Sequence, residues 1–152
     1  MVRDNKYLEN ILYDIWETHF SDVARLNLVI IKYGKHSKRQ LGSIKLIKDR
    51  DTFDKYLERY NYSKKMFDNH SISLITVTRY FKYNYVPEYV VRSTVAHELC
   101  HYAHGFSSPL KKRYKYPHQG GVVKRELEER GLLNIYTDSK KWLKNNWVSV
   151  IS

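Results

Sequence analysis

The chain has 152 residues and a mass of 18.3 kDa, and its 27 Lys and Arg against 16 Asp and Glu give a formal charge of +11. A hydrophobic fraction of 42% and fourteen tyrosines exclude a disordered basic tail and suffice for one core. The single cysteine, Cys100, excludes an internal disulfide and a cysteine-based zinc finger. No apolar run reaches the roughly 18 residues of a membrane span, and the acidic, amphipathic start is unlike a signal peptide. We therefore expect one intracellular globular domain over residues 1–152.

The first half of the chain predicts an amphipathic helix followed by strands. Apolar residues recur at helical spacing over Tyr7–Phe20. Leu26–Tyr33 and Gly42–Lys48 have strand character, and the basic loop between them predicts that they pair as a hairpin. Arg50–Phe67 is compatible with either a short helix or a structured loop. Ser71–Phe81 returns to strand character.

The second half predicts three helices and one long loop. Pro87 suits the first turn of a helix that we expect to run to His104 and to end at Gly105, which can adopt a left-handed conformation. The loop Gly105–Gly121 is unusually long for a compact domain, and such loops are often functional. A short helix is predicted over Val122–Arg130, and the Trp- and Lys-containing tail predicts one more. The predicted fold class is α+β.

The central helix carries the sequence His97-Glu98-Leu99-Cys100-His101, an H-E-x-x-H pattern. Positions i and i+4 lie on one face of a helix, so both imidazoles can reach a single Zn²⁺. Glu98 lies beside them, where it can take a proton from an activated water without being a ligand. The pattern therefore predicts a hydrolytic zinc site. The alternative is a helix whose histidines are merely polar surface or core residues, and Cys100 is interpreted as a small buried apolar residue.

A catalytic zinc site needs a third protein ligand and an open fourth position. His118 is the favoured candidate, because it follows the long loop and can approach from a direction that the first helix cannot supply. The competing ligands are the carboxylates Glu126, Glu128 and Glu129 on the following helix. Their alternation with arginine is more typical of an exposed, self-paired helix face.

His104 and Tyr116 are candidates for supporting positions around the metal. His104 lies on the same helix face as His97, but three ligands along one straight helix would spread over roughly 10 Å, too far for one tetrahedral ion. We expect His104 to support the metal ligands without binding the metal itself, to face the substrate, or to be solvated near the helix C-terminus. Tyr116 is a candidate hydrogen-bond donor near the reaction centre, with an ordinary packed or exposed tyrosine as the alternative.

These elements resemble the SprT-like zinc metalloprotease domain, the family that includes Spartan, and the similarity covers most of the chain. It comprises an N-terminal helix, a small antiparallel sheet, the helix Val90–His101 and a third histidine after a loop. The resemblance implies a minimal zincin fold, with His97, His101 and His118 as zinc ligands and Glu98 as the general base. The WLM proteases and the YgjP-like hydrolases share this core.

The resemblance further implies a zinc-dependent endopeptidase that cleaves proteins attached to or bound on DNA, in the cytoplasm or on the nucleoid. The strand Ser71–Phe81 is expected to be the sheet edge to which an extended peptide adds. A DNA partner agrees with the charge, although a general preference for surface lysine explains the same counts. Two alternatives remain: a basic nucleic-acid-binding protein with an inactive or structural zincin core, and a peptidase with a specific regulatory protein target. The residues expected to contact phosphates, interleaved with tyrosines that can stack on bases, are Lys111, Lys112, Arg113 and Lys115.

Overall fold

The computed structural model describes residues 2–63 and 69–152, and within them the chain forms five α-helices and three β-strands. The predicted α+β class is confirmed. The stretch Arg50–Phe67 contains a helix, and its residues beyond position 63 lie outside those described. In chain order the elements are α1 (Asn5–His19), β1 (Leu28–Tyr33), β2 (Gly42–Ile47), α2 (Arg50–Tyr60), β3 (Ile72–Val77), α3 (Glu88–Ala103), α4 (Val122–Glu129) and α5 (Leu133–Ile151).

The ends of α3 agree with the predicted bounds. The helix begins after Pro87, which precedes its first residue, and it ends at Ala103. Gly105 then adopts a φ of 83°, the left-handed conformation expected after a helix. A Cβ atom at Gly105 would lie only 2.4 Å from the carbonyl oxygen of Lys111, so the long loop folds back tightly on the end of α3.

The predicted hairpin is wrong. The strand order is β1-β3-β2, so β1 and β2 are not neighbours, and the sheet is mixed rather than antiparallel. β3 pairs in parallel with β1 and antiparallel with β2. The physical reason lies in burial: β1 and β3 are almost wholly buried, whereas β2 is largely half-exposed. A central strand is hydrogen-bonded along both of its edges, and the half-exposed β2 therefore takes an edge of the sheet while the buried β3 takes the centre.

β3 is consequently not the free edge that was expected to bind a peptide, and β2 occupies an edge of the sheet instead. The backbone N–H of Thr78 donates to the carbonyl of Leu41 at 2.8 Å, so Leu41 and the residues alternating with it face β3. The main-chain groups of Gly42, Ile44 and Leu46 therefore point away from the sheet.

The two faces of the sheet are covered differently. One face packs against α1 and α3, and the main hydrophobic core lies there. The other face has a smaller core, in which β-strand residues pack against Phe53 and Leu57 of α2. This arrangement places α3 between the sheet and α5, beside β2. Among the helices of the described residues, none is both long and apolar enough to cross a membrane.

Candidate metal centre

One face of α3 presents two histidines, and most of the remaining helix residues are buried. His101 is buried and His97 is partly exposed. Val95, Ala96 and Leu99 pack into the main core, which holds the helix in register. Cys100 is fully buried, and burial raises the pKa of its thiol, so the interpretation as a small apolar core residue is confirmed.

The long loop brings His118 back to this face of α3. His118 precedes a short 3₁₀ turn over Gln119–Gly121, and Gly121 adopts a φ of 70° before α4 begins. The Nε2 atom of His118 lies 3.1 Å from Nε2 of His97 and also 3.1 Å from Nε2 of His101. Two segments of the chain thus direct three imidazole nitrogens to one point.

This geometry suits a shared cation better than hydrogen bonding. A ring nitrogen carries either one proton or one lone pair, so Nε2 of His118 can form one well-directed hydrogen bond and not two. Ligand nitrogens at 2.0–2.1 Å from a tetrahedral ion are separated by roughly 3.3 Å. The potential ligand atoms of the three histidines all lie within 4.8 Å of one another, and no carboxylate from the described residues joins them.

Burial keeps two of the three imidazoles neutral. It lowers the pKa of His97 to about 4, with further contributions from the charges of His118 and Lys140. Burial also lowers the pKa of His101 to about 3, together with the neighbouring histidines. A neutral imidazole has the free lone pair that a metal requires, so the unprotonated form is already favoured at neutral pH.

Glu98 lies at the same site and is buried, at 5% exposure. Burial raises the pKa of its carboxyl to about 8. The main chain of the edge strand β2 approaches this side chain closely at Gly42. A Cβ atom at Gly42 would lie 3.1 Å from Oε2 of Glu98 and 2.6 Å from Cγ2 of Thr94. Glycine at this position therefore permits the close contact between β2 and α3.

The ring of His101 is positioned by packing. Its Nδ1 atom is buried and has no hydrogen-bond partner among the described residues. The ring instead meets Phe106 edge-on, at 6.4 Å between centroids, and lies edge-on to His97 and His118. Metal-bound histidines usually donate their second N–H to an oxygen, and among the described residues no oxygen takes that role at His101.

His104 neither faces a substrate nor is solvated, and both of these expectations are wrong. Its side chain is fully buried, and its Nε2 lies 2.7 Å from Oε1 of Glu126 on α4. Its ring also meets Tyr114 edge-on at 4.9 Å. His104 lies on the same helix face as His97 but roughly 10 Å further along the helix axis, so at the helix end it meets α4 rather than the other two histidines.

The carboxylates of α4 lie apart from the three histidines. Glu128 and Glu129 are exposed, as expected of a solvated face, but Glu126 is buried at 7% exposure. Oε2 of Glu126 accepts a hydrogen bond from Nε of Arg130 at 2.7 Å. The prediction of an exposed, self-paired face is therefore correct about the pairing and wrong about the burial of Glu126. The deep position follows from the packing of Leu127 and Val123 into the core.

The basic loop is only partly free. Lys111, Lys112, Arg113 and Lys115 are all exposed, and Arg113 in addition donates from Nη1 to Oε1 of Glu126 at 3.5 Å. Tyr116 is exposed at 59%, and its ring lies below the ammonium group of Lys115. The main-chain N–H of Tyr116 donates to Oε1 of Gln119, the residue after His118, at 3.3 Å.

A cavity of about 340 Å³ adjoins the histidines, and sequence reasoning did not find it. Its walls come from the end of the β1–β2 loop, from α3 and from α5. Gly42, Ser139 and Lys140 line it. A glycine at the start of a strand is a known signal of close backbone approach, so Gly42 carried a usable signal. Nothing comparable distinguishes Lys140 from the other lysines of the tail.

In comparisons of the chain with family models, with curated proteins and with solved structures, nothing matches.

Proposed function

We propose that this protein is a zinc-dependent endopeptidase of the SprT-like type. The observation that carries the proposal is the convergence of three imidazole Nε2 atoms, two of them 3.1 Å from the third, beside a buried carboxylate. Such a donor set of three imidazoles is one that zinc prefers in catalytic sites, and it leaves a fourth position for water or substrate. His97, His101 and His118 would hold the metal.

The chain's own residues supply the rest of the chemistry. A zinc ion in this position supplies Lewis acidity, which makes water nucleophilic near neutral pH. Glu98 accepts the proton of the attacking water at its carboxylate and returns it to the leaving nitrogen as the C–N bond breaks. The core packing of α3 fixes Glu98 for both steps.

The edge strand β2 supports a peptide as the substrate. The outward main-chain groups of Gly42 lie next to Glu98, so a peptide that adds to this edge passes the carboxylate. Further along the strand, the carbonyl of Ile44 already accepts a hydrogen bond from Oγ of Ser107 at 3.2 Å. The free edge nearest the histidines is therefore short, which suits a bound segment of a few residues.

DNA is the partner that we propose to accompany the protein substrate. The formal charge of +11 supports attraction to a polyanion. The three exposed lysines of the loop, Lys111, Lys112 and Lys115, lie in the segment that delivers His118. Contacts between these lysines and phosphates would therefore be transmitted to the candidate metal centre through a short stretch of chain.

Hydrolysis of an unstructured protein by the zinc-loaded chain tests the proposal. Wild-type protein is expected to release fragments, with a rate that chelation abolishes. Glu98→Gln should retain zinc and lose activity by about two orders of magnitude or more, since it removes the proton acceptor. Asp138→Asn on α5 is the matched control. Equal rates for wild-type protein and Glu98→Gln, or no hydrolysis by either in the presence and absence of DNA, would refute it.

A further inference from the structure

The cavity beside the histidines has a chemical character that the peptidase proposal leaves unused. Its interior walls include the buried hydroxyl-bearing residues Ser93 and Ser139, and Leu41, Tyr136 and Leu143 provide apolar surface. At about 340 Å³ it lies within the size range of ligand pockets. It is therefore large enough to take one amino-acid side chain together with part of its backbone.

Two cationic side chains lie at the opening of this cavity. Arg39 and Lys140 both line it, and both are exposed, whereas the serines deeper in are buried. The ammonium group of Lys140 lies 4.9 Å from the centre of the Tyr136 ring, another lining residue, which directs it along the wall. Glu98, the acid that lines the cavity, belongs to the buried floor beside His97.

The two cation-bearing walls are joined to each other. Arg39 belongs to the β1–β2 loop, and Lys140 belongs to α5. The indole N–H of Trp147 on α5 donates to the carbonyl of Lys38, the residue before Arg39, at 2.7 Å. This hydrogen bond holds the loop against the helix, so that Arg39 of the loop and Lys140 of α5 both line one opening.

We infer that this cavity binds a carboxylate of the substrate, an inference that rests on the proposed peptidase function. The carboxylate is held between Arg39 and Lys140, and the aliphatic part of the same residue packs against Leu41, Tyr136 and Leu143. The peptidase then prefers substrates with an acidic residue next to the bond that is cleaved. Such a carboxylate has two sources, the side chain of Asp or Glu and the C-terminus of a peptide.

Four peptides of otherwise identical sequence test the inference and separate these sources. Three are amidated at the C-terminus and carry one internal Glu, Gln or Lys, and the fourth carries Gln and a free C-terminal carboxylate. Binding to the full-length Glu98→Gln variant is measured by fluorescence anisotropy, and cleavage by the wild-type protein is followed by mass spectrometry. We expect the Glu peptide to bind about tenfold more tightly than the Gln peptide.

Substitutions of the two cations at the cavity opening, Arg39 and Lys140, test whether the cavity causes that preference. Arg39→Gln and Lys140→Gln should each reduce the Glu preference, mainly through KM, and Lys140→Glu should shift it towards the Lys peptide. Lys141→Gln is the control, because Lys141 is the next residue of α5 and lines a different surface depression. Equal binding of all four peptides would overturn the inference, as would an equal effect of Lys141→Gln and Lys140→Gln.

The two readouts distinguish failure of this inference from failure of the proposed function. Selective binding of the Glu peptide without any cleavage supports the carboxylate site and counts against the peptidase. Cleavage that proceeds equally well at Glu, Gln and Lys supports the peptidase and overturns the carboxylate site. Selective binding of the fourth peptide alone would assign the cavity to a C-terminal carboxylate rather than to an acidic side chain.

Discussion

Nε2 of His104 lies 2.7 Å from Oε1 of Glu126, and both side chains are buried. This contact joins the end of α3 to α4. Glu126 also accepts from Arg130, which in turn donates to Asp22 at 2.6 Å and thereby reaches the chain beyond α1. A further bond from Arg113 attaches the loop that carries His118. The network therefore holds together the end of α3, the loop that carries His118 and α4, beside the candidate metal centre.

Glu126→Ala should destabilise the fold without removing a metal ligand. The substitution leaves His104 and Arg130 without their shared acceptor in a buried position, and the expected loss is about 3 kcal/mol in the free energy of unfolding. Urea titration measures this loss, and metal analysis of the folded variant should still find zinc. Glu128→Ala, on the exposed side of the same helix, is the control and should change little. Loss of zinc at unchanged stability would instead make Glu126 a ligand.

The same carboxylate should make stability depend on pH. Burial acts to raise the pKa of Glu126, but the hydrogen bond from His104 and the charge of Arg130 outweigh it and hold the pKa below its ordinary value. A folded-state pKa below the unfolded one stabilises the fold above the unfolded value of about 4.3, and this contribution is lost as pH falls through the folded pKa. The difference in unfolding free energy between wild-type protein and Glu126→Gln should therefore shrink on acidification. A difference that grows in acid would contradict this assignment.

Gly42→Ala should lower the rate of hydrolysis while zinc remains bound. The added methyl group would crowd Thr94 and Oε2 of Glu98, displacing either the carboxylate or the edge of β2. Overpacking of this kind costs about 1–3 kcal/mol of stability. Gly34→Ala is a matched control, since its Cβ would meet Thr76 Cγ2 at 2.5 Å. Gly34 follows β1 and lines no part of the cavity beside the histidines, so a similar loss of rate in both variants would remove the special role of Gly42.

DNA binding should depend on the loop lysines more than on other lysines. Substituting Gln for Lys111, Lys112 and Lys115 should weaken the salt dependence of single-stranded DNA binding. The slope of log affinity against log salt concentration should fall in magnitude by about 2. The control removes the same charge elsewhere, with Gln at Lys45, Lys48 and Lys55, which are exposed on β2 and α2 or between them. If both triple variants lose affinity equally, the interaction reflects overall charge alone. DNA that binds without changing the hydrolysis rate would separate the loop from the site.

The helices could be predicted from the sequence because their signals are local. Pro87 and Gly105 mark the limits of α3, and the spacing of His97 and His101 fixes their common face. Strand pairing is not local: β1 and β2 are separated by a short loop, but β3 lies between them. The error followed from assuming that strands adjacent in sequence are adjacent in space.

Residues brought together by the loop were harder to predict. His118 was assigned from the need for a third ligand, and its meeting with His97 depends on how the loop folds back at Gly105. The burial of Glu126 could not be predicted, because its charged neighbours in sequence are typical of a solvated helix face. Its partner His104 lies 22 residues away in the sequence, so the network that joins them becomes evident only in the folded structure.

Metal content tests the central claim most directly. The purified chain, stripped of metal and dialysed with zinc, is analysed for metal alongside His118→Ala and the control His70→Ala, whose histidine is exposed and outside the cluster. A site of three histidines predicts about one zinc per chain in the wild-type protein and in His70→Ala, and a large loss of affinity in His118→Ala. Zinc binding that is absent in all three, or equally strong in His118→Ala, would contradict the proposed metal centre.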